Sequence, residues 1–219
     1  MCHTFLASNS LSFLTPRGEV PVITRMTIDP EKLIAAMLYI AKLVDADKYR
    51  MSKLLFLADY AHLARYGRPI VGGKYCAMAN GPVPSEALDV MNFLITGRQE
   101  YDVDLWSEKE LQDSFEIVPA PYPIIKAKKN PDLDLLSCSD VEILDEVVRT
   151  FGQLSFNKLF NLTHEMPVYM KASERNPDSN NAPMDYEDFF EENKFETPGV
   201  REEFLENVGL ARLYPHRAF

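Results

Sequence analysis

Cysteine is scarce in this chain of 219 residues: Cys2, Cys76 and Cys138 are odd in number, widely spaced and in no CxxC pattern. That fits a reducing compartment better than a disulfide framework, with the cytoplasm as the expected location. Long apolar runs are lacking too; none approaches the roughly 20 residues of a membrane span. The stretch from Met1 to Met26 has neither the basic start nor the continuous apolar centre of a secretory signal, so export and membrane anchoring are not expected. Positive charge is in deficit, with 23 Lys and Arg against 33 Asp and Glu and a net charge of -10. Such a field repels phosphate backbones, which makes direct nucleic-acid binding a poor expectation.

What is present suffices for a core. Hydrophobic residues make up 46% and aromatics 11% of the sequence, which predicts a globular chain rather than a disordered one. Its length suits one domain with an appendage. The first 25 residues show no sustained period beyond a possible edge strand over 19–24, and Met26 directly precedes the first strong helix signal, so the native start is expected at either Met1 or Met26. Asp29-Pro30-Glu31 supplies an N-cap, a proline in the first turn and an acid at the positive helix end, and predicts a helix over 30–45. Met51, Leu54, Leu55, Ala58 and Ala61 predict a second helix over about 50–65, forming an αα-hairpin with the first.

A short strand over 74–79 should follow, then a rigid irregular turn at Asn80-Gly-Pro-Val-Pro84, then a helix over 85–95 stopped by Gly97. Phe115–Val118 and 123–127 suit a hairpin, with prolines confined to the connection. Ser139-Asp-Val-Glu142 has capping-box spacing ahead of a helix ending at Gly152. Ser155 caps a short helix to about His164, Pro167 opens another turn, and Thr197-Pro198 starts a last helix on which Val200, Phe204 and Val208 align.

Few residues gather into a chemical pattern. Gly72-Gly73-Lys74 lacks the upstream glycine and the following Ser or Thr of a phosphate cradle, and reads as a turn. Asp59 and His62, three apart on one helix face, could orient an imidazole for acid–base work, but no nucleophile adjoins them; a hydrogen-bonded polar pair holding the fold is the stronger reading. His62, Cys76, Cys138 and His164 have no metal-ligand spacing, so neither a metal nor any other cofactor is expected. Lys126, Lys128 and Lys129 form the one compact basic run, too small for a nucleic-acid footprint. The acidic segment Asp185–Glu206 holds nine acids and two bases and interleaves them with Tyr186, Phe189, Phe190, Phe195 and Phe204. That pattern fits an amphipathic element that docks its rings, on its own core by preference, while presenting carboxylates.

From Lys53 to Pro84 the chain reads K-L-L-F-L-A-D-Y-A-H-L, then Y-G-R-P-I-V-G-G-K-Y-C-A, then N-G-P-V-P-S. Further on come L-S-C-S-D-V-E-I-L-D-E-V-V, L-S-F-N-K-L and T-H-E-M-P-V-Y. In this order the segments resemble the Panacea domain family of antitoxins, also called SocA-like or GepA-like, from about Ile28 to Ser173. The resemblance implies a mainly α fold, a compact helical domain with a few short β-strands, which binds and neutralises a neighbouring toxin in bacterial and phage toxin–antitoxin pairs. In one branch of the family the domain instead delivers the toxin to the ClpXP protease as an adaptor, with ClpX as a further partner. The positions that match the family motif are Lys53, Asp59, His62, Tyr75, Gly81, Pro82, Val83, Thr163, His164 and Glu165, carried over as defining fold or interface rather than catalysis.

The resulting expectation is an N-terminal extension over 1–27, the antitoxin domain over 28–183 and an acidic aromatic C-terminal extension over 184–219 packed on it. Tyr186, Phe189, Phe190 and Phe195 are the candidate toxin contacts, and the acidic balance suits a basic toxin. The 25 extra N-terminal residues are too short and too poor in Lys and Arg for the DNA-binding module of many relatives. The runner-up readings are the proteolytic adaptor and an enzyme using Asp59, His62 and His164.

Overall fold

The computed structural model describes residues 26–98 and 106–213, with side chains as far as 209. The strand expected over 19–24 lies outside the described residues. In chain order the elements are α1 (Pro30–Leu43), β1 (Ala46–Asp47), α2 (Lys48–Tyr66), β2 (Tyr75–Met78), β3 (Gly81–Pro84), α3 (Ser85–Thr96), α4 (Glu108–Ser114), β4 (Phe115–Val118), β5 (Ile124–Ala127), a 3₁₀ turn (Leu133–Leu135), α5 (Cys138–Phe151), α6 (Phe156–His164), α7 (Pro167–Arg175), β6 (Ala182–Pro183), a second 3₁₀ turn (Tyr186–Phe190) and α8 (Val200–Leu213). Helices dominate, and the strands form two small antiparallel sheets in the orders β1-β5-β4 and β3-β2-β6. This is the mainly α architecture expected.

The organising element is α2. Every residue from Met51 to Ala64 is buried, so the helix has no solvent face over that stretch. An amphipathic helix buries one stripe; one buried on all sides must be wrapped by the rest of the chain. The wrapping comes from α1, α5, both sheets and the second 3₁₀ turn. Asp47 starts α2 by accepting from the Arg50 amide at 2.7 Å, and Gly67 ends it in the left-handed region at φ 73°, its amide bonded to Leu63 O at 2.8 Å.

Three local expectations need correction. The stretch expected to be irregular, Asn80–Pro84, contains β3, which pairs with β2 through Cys76↔Val83. Pro82 and Pro84 are tolerated because β3 is an edge strand and residues two apart turn their backbone groups to the same side, here away from β2. The capping box of α5 belongs to Ser137 and Asp140, one turn-residue pair earlier than the Ser139 and Glu142 spacing suggested. Helix α4, capped by Ser107, was not expected at all.

The C-terminal segment is part of the core. Tyr186, Phe189 and Phe190 are at most 1% exposed, and Phe195 is half-buried against the same cluster. The Phe189 ring lies 5.7 Å from that of Phe56, 5.9 Å from Tyr60 and 5.5 Å from Tyr75. Backbone and side-chain bonds fix the segment: Met184 N to Tyr75 O (2.9 Å), the Tyr186 hydroxyl to Gly73 O (3.1 Å), Asn193 Nδ2 to Tyr60 O (3.0 Å) and Thr197 N to Ala64 O (3.0 Å). Three of the rings named above as candidate toxin contacts, Tyr186, Phe189 and Phe190, therefore fill space in the core and are not presented to a partner; the fourth, Phe195, is half-buried beneath the Arg65 guanidinium.

Candidate functional site

The motif residues converge on α2 as three separate polar nodes, each answering a backbone demand elsewhere in the chain. At the first, Lys53 is fully buried and its ammonium donates to Pro82 O at 2.7 Å. The direction of that carbonyl follows from the prolines: an edge strand whose Pro82 turns away from β2 aims its C=O at α2. The ammonium also sits 5.0 Å from the centroid of the Tyr49 ring. Among the described residues no carboxylate faces it, and burial lowers its pKa from 10.5 to about 7.

Gly81 closes this node at φ 96°, a conformation L side chains rarely adopt. A Cβ there would lie 2.9 Å from Thr163 Oγ1, 3.1 Å from His164 Cε1 and 3.1 Å from Lys53 Nζ. Lys53, Gly81, Pro82, Thr163 and His164 thus meet in one place. Thr163 Oγ1 donates to Leu159 O at 2.9 Å, while His164 faces Phe160 O through Nδ1 (2.8 Å) and Ala79 O through Nε2 (3.2 Å), tying α6 to the β2–β3 turn. Glu165 is the exposed C-cap residue of α6, and Val83 is buried in β3.

The second node is Asp59, whose carboxylate accepts from the amides of Ile70 (2.8 Å), Val71 (3.0 Å) and Gly72 (2.9 Å) and from the Tyr75 hydroxyl (2.9 Å). Burial raises its pKa, and the three amides and the phenol oppose that rise. The same burial, with the neighbouring Asp59 charge, drives the Tyr75 phenol well above its ordinary value. This is an organic clamp on the 70–73 loop: four donors that would otherwise be buried without acceptors are satisfied by one side chain.

The third node centres on His62 and Asp140. His62 Nδ1 meets Arg68 O at 2.7 Å, and its Nε2 lies 3.0 Å from Ser139 Oγ and 3.1 Å from Asp140 Oδ1. Asp140 also receives Lys32 (2.7 Å) and Arg68 (2.9 Å). Burial alone would raise the pKa of this carboxyl, but the bonds from His62, Lys32 and the Ser137 amide, with the Arg68 charge, hold it well below the usual carboxylate range. The network pins α1, α2 and α5 together.

Asp59 and His62 do not form the dyad their spacing allowed, because each is committed to different groups, and His164 belongs to the first node, with Lys53 and Gly81. Nor do His62, Cys76, Cys138 and His164 assemble: among the described residues no group of three or more His, Cys, Asp or Glu side chains is placed to hold a metal ion. Sequence reasoning missed Asp140, Lys32, Arg68 and Tyr49. Asp140 carried a signal as an acid at capping distance from Ser137, but nothing in the sequence tied it to His62. Among the described residues no helix is long and apolar enough to cross a membrane.

A helical domain wrapped round a polar-noded central helix, with small sheets clamped to it, is the class these observations define. The chain belongs to the family described as Antitoxin SocA-like, Panacea domain, whose sequence model matches residues 51–168. That span contains all three nodes apart from Lys32 and Tyr49, and it excludes the C-terminal aromatic segment. No curated protein and no solved structure matches the chain. Family membership gives the protein a place in toxin–antitoxin biology in general, with a toxin protein as the class of partner.

Proposed function

We propose that this protein is an antitoxin that neutralises a basic toxin by binding it directly, through the acidic outer surface of its C-terminal segment rather than through the rings beneath. Family membership carries the antitoxin reading. The distribution of charge supports the choice of surface. Where Phe190 and Phe204 pack inward with their rings 5.1 Å apart, Glu192, Glu196, Glu202, Glu203 and Glu206 face solvent. Carboxylates held on a rigid scaffold steer a positive partner and speed its association. The motif residues at the nodes support that surface by holding α2, and take no part in contact.

The test is to co-express the chain, tagged, with the product of the neighbouring gene. Growth arrest by that product alone, relief on co-expression and copurification of both proteins support the reading. Relief that needs ClpXP and leaves no stable complex replaces it with the adaptor reading. No arrest and no partner removes it. Changing Glu202, Glu203 and Glu206 together to Gln should slow association and flatten its salt dependence while leaving the melting temperature nearly unchanged.

A further inference from the structure

A second surface lies at the other end of α2. On α6, Phe156, Phe160 and His164 recur every fourth residue and stack into one stripe, with ring centroids 5.9 Å apart for the first pair and 3.7 Å for the second. Tyr49 extends the stripe at one end, 4.5 Å from Phe156, and Tyr169 at the other, 4.4 Å from His164. The opposite face of α6 is spent on the core through Leu159 and Thr163, both fully buried. Phe156 remains 49% exposed, as does Leu43 at the end of α1. These five rings in unbroken contact, Phe156 exposed and the other four half-buried, make a larger aromatic patch than the single apolar residues scattered over any surface.

Beside the Tyr49 end lies a cleft of about 380 Å³ lined by Lys42, Leu43, Asp45, Arg50, Lys126 and Gln153. Asp45 answers Lys126, and Asp47 is turned into the first turn of α2. Arg50 donates to the carbonyls of Gly152 and Leu154, which hold its guanidinium in place without neutralising it. Lys42 is exposed with no acid set against it among the described contacts. On a chain of net charge -10 this is a positive spot next to an aromatic platform. Next to Arg50 in the chain, the buried Tyr49 hydroxyl makes no hydrogen bond among the described residues.

We propose that this cleft and stripe form a second docking pole, which takes an acidic protein segment carrying a large apolar side chain: the side chain on Phe156 and Phe160, the carboxylates against Lys42 and Arg50. The pole is distinct from the acidic surface proposed for the toxin. Arg50 opens α2, whereas Thr197 is bonded to Ala64 near its end, a separation of roughly 21 Å along the helix. Two partners of opposite charge could be held at once. A nucleic acid is the poorer fit, because two uncompensated cations do not offset the repulsion of the whole chain.

Fluorescence anisotropy with the full chain tests the proposal. The probes are a labelled peptide of alternating aspartate and phenylalanine, its counterpart with lysine for aspartate, and a single-stranded thymidine oligonucleotide. The acidic peptide should bind saturably and lose affinity with salt, and Lys42→Glu and Phe156→Ser should each weaken it about tenfold at unchanged melting temperature. Absence of binding, indifference to both variants, preference for either other probe, or a self-association abolished by Phe156→Ser would each overturn it. Toxin relief in the same variants reads the antitoxin proposal separately: it should persist, and its loss in Phe156→Ser would make this the toxin's own site and overturn the second pole.

Discussion

Replacing Lys53 by methionine should change the pH dependence of stability more than its level. The ammonium is confined without a carboxylate, so its pKa falls from 10.5 to about 7 on folding. At pH 6 the group is charged in both states, and the full cost of burying the charge opposes folding. As pH rises through 7 the folded protein releases the proton while the unfolded chain keeps it until about 10.5, so stability climbs by up to about 1.4 kcal/mol per pH unit over that window. Between about pH 6 and 9 this amounts to roughly 2.5 kcal/mol. Methionine keeps much of the volume and abolishes the slope, while leaving Pro82 O without its donor costs about 1–3 kcal/mol at every pH. Urea denaturation of both proteins at matched pH values reads the difference directly. Wild type should gain on the variant by those 2.5 kcal/mol as pH rises; parallel curves would show that the ammonium is not desolvated and refute the reasoning.

Asp59→Ala strands three amides and a phenol and should cost at least about 3 kcal/mol by chemical denaturation, with the 70–73 loop losing amide protection in hydrogen exchange; exchange unchanged in that loop would contradict the clamp. Phe189→Ala should cost about 3–5 kcal/mol, and truncation after Asn181 should remove cooperative unfolding altogether; a truncated chain with a sharp melting transition would mean that the aromatic segment is an accessory after all. Gly81→Ala must adopt a positive φ and drive a methyl against Thr163 and Lys53, so a loss of about 2 kcal/mol or more is expected; a wild-type midpoint would refute the close approach.

Sequence reasoning located the elements whose signals are local. The Asp29-Pro30 start of α1, the Gly97 stop of α3 and the Gly152 stop of α5 are each encoded within a few residues of the helix, and all were legible. It failed where the third dimension decides. Two serines two apart, each followed at the right distance by an acid, offered equal capping boxes for α5, and only the demand of Lys32, His62 and Arg68 for Asp140 selects Ser137. The prolines of β3 read as strand breakers because the sequence does not reveal that this strand lies at an edge. Asp59 and His62 looked like partners because helical spacing places them on one face, yet each reaches to a segment the spacing does not mention. The resemblance to antitoxins was legible because it rests on the order of several segments. The face that meets the toxin was not, since the same motif residues serve the interior.

A helix enclosed on every side divides the labour of heredity in this protein. Substitutions between Met51 and Ala64 are felt by the whole fold, because every side chain in that stretch is buried. Outward-facing positions on α6 and α8 touch little of the interior and are free to change. On the proposal that the toxin meets the outer surface, a lineage built this way exchanges one toxin for another by rewriting its outer positions, without relearning how to fold.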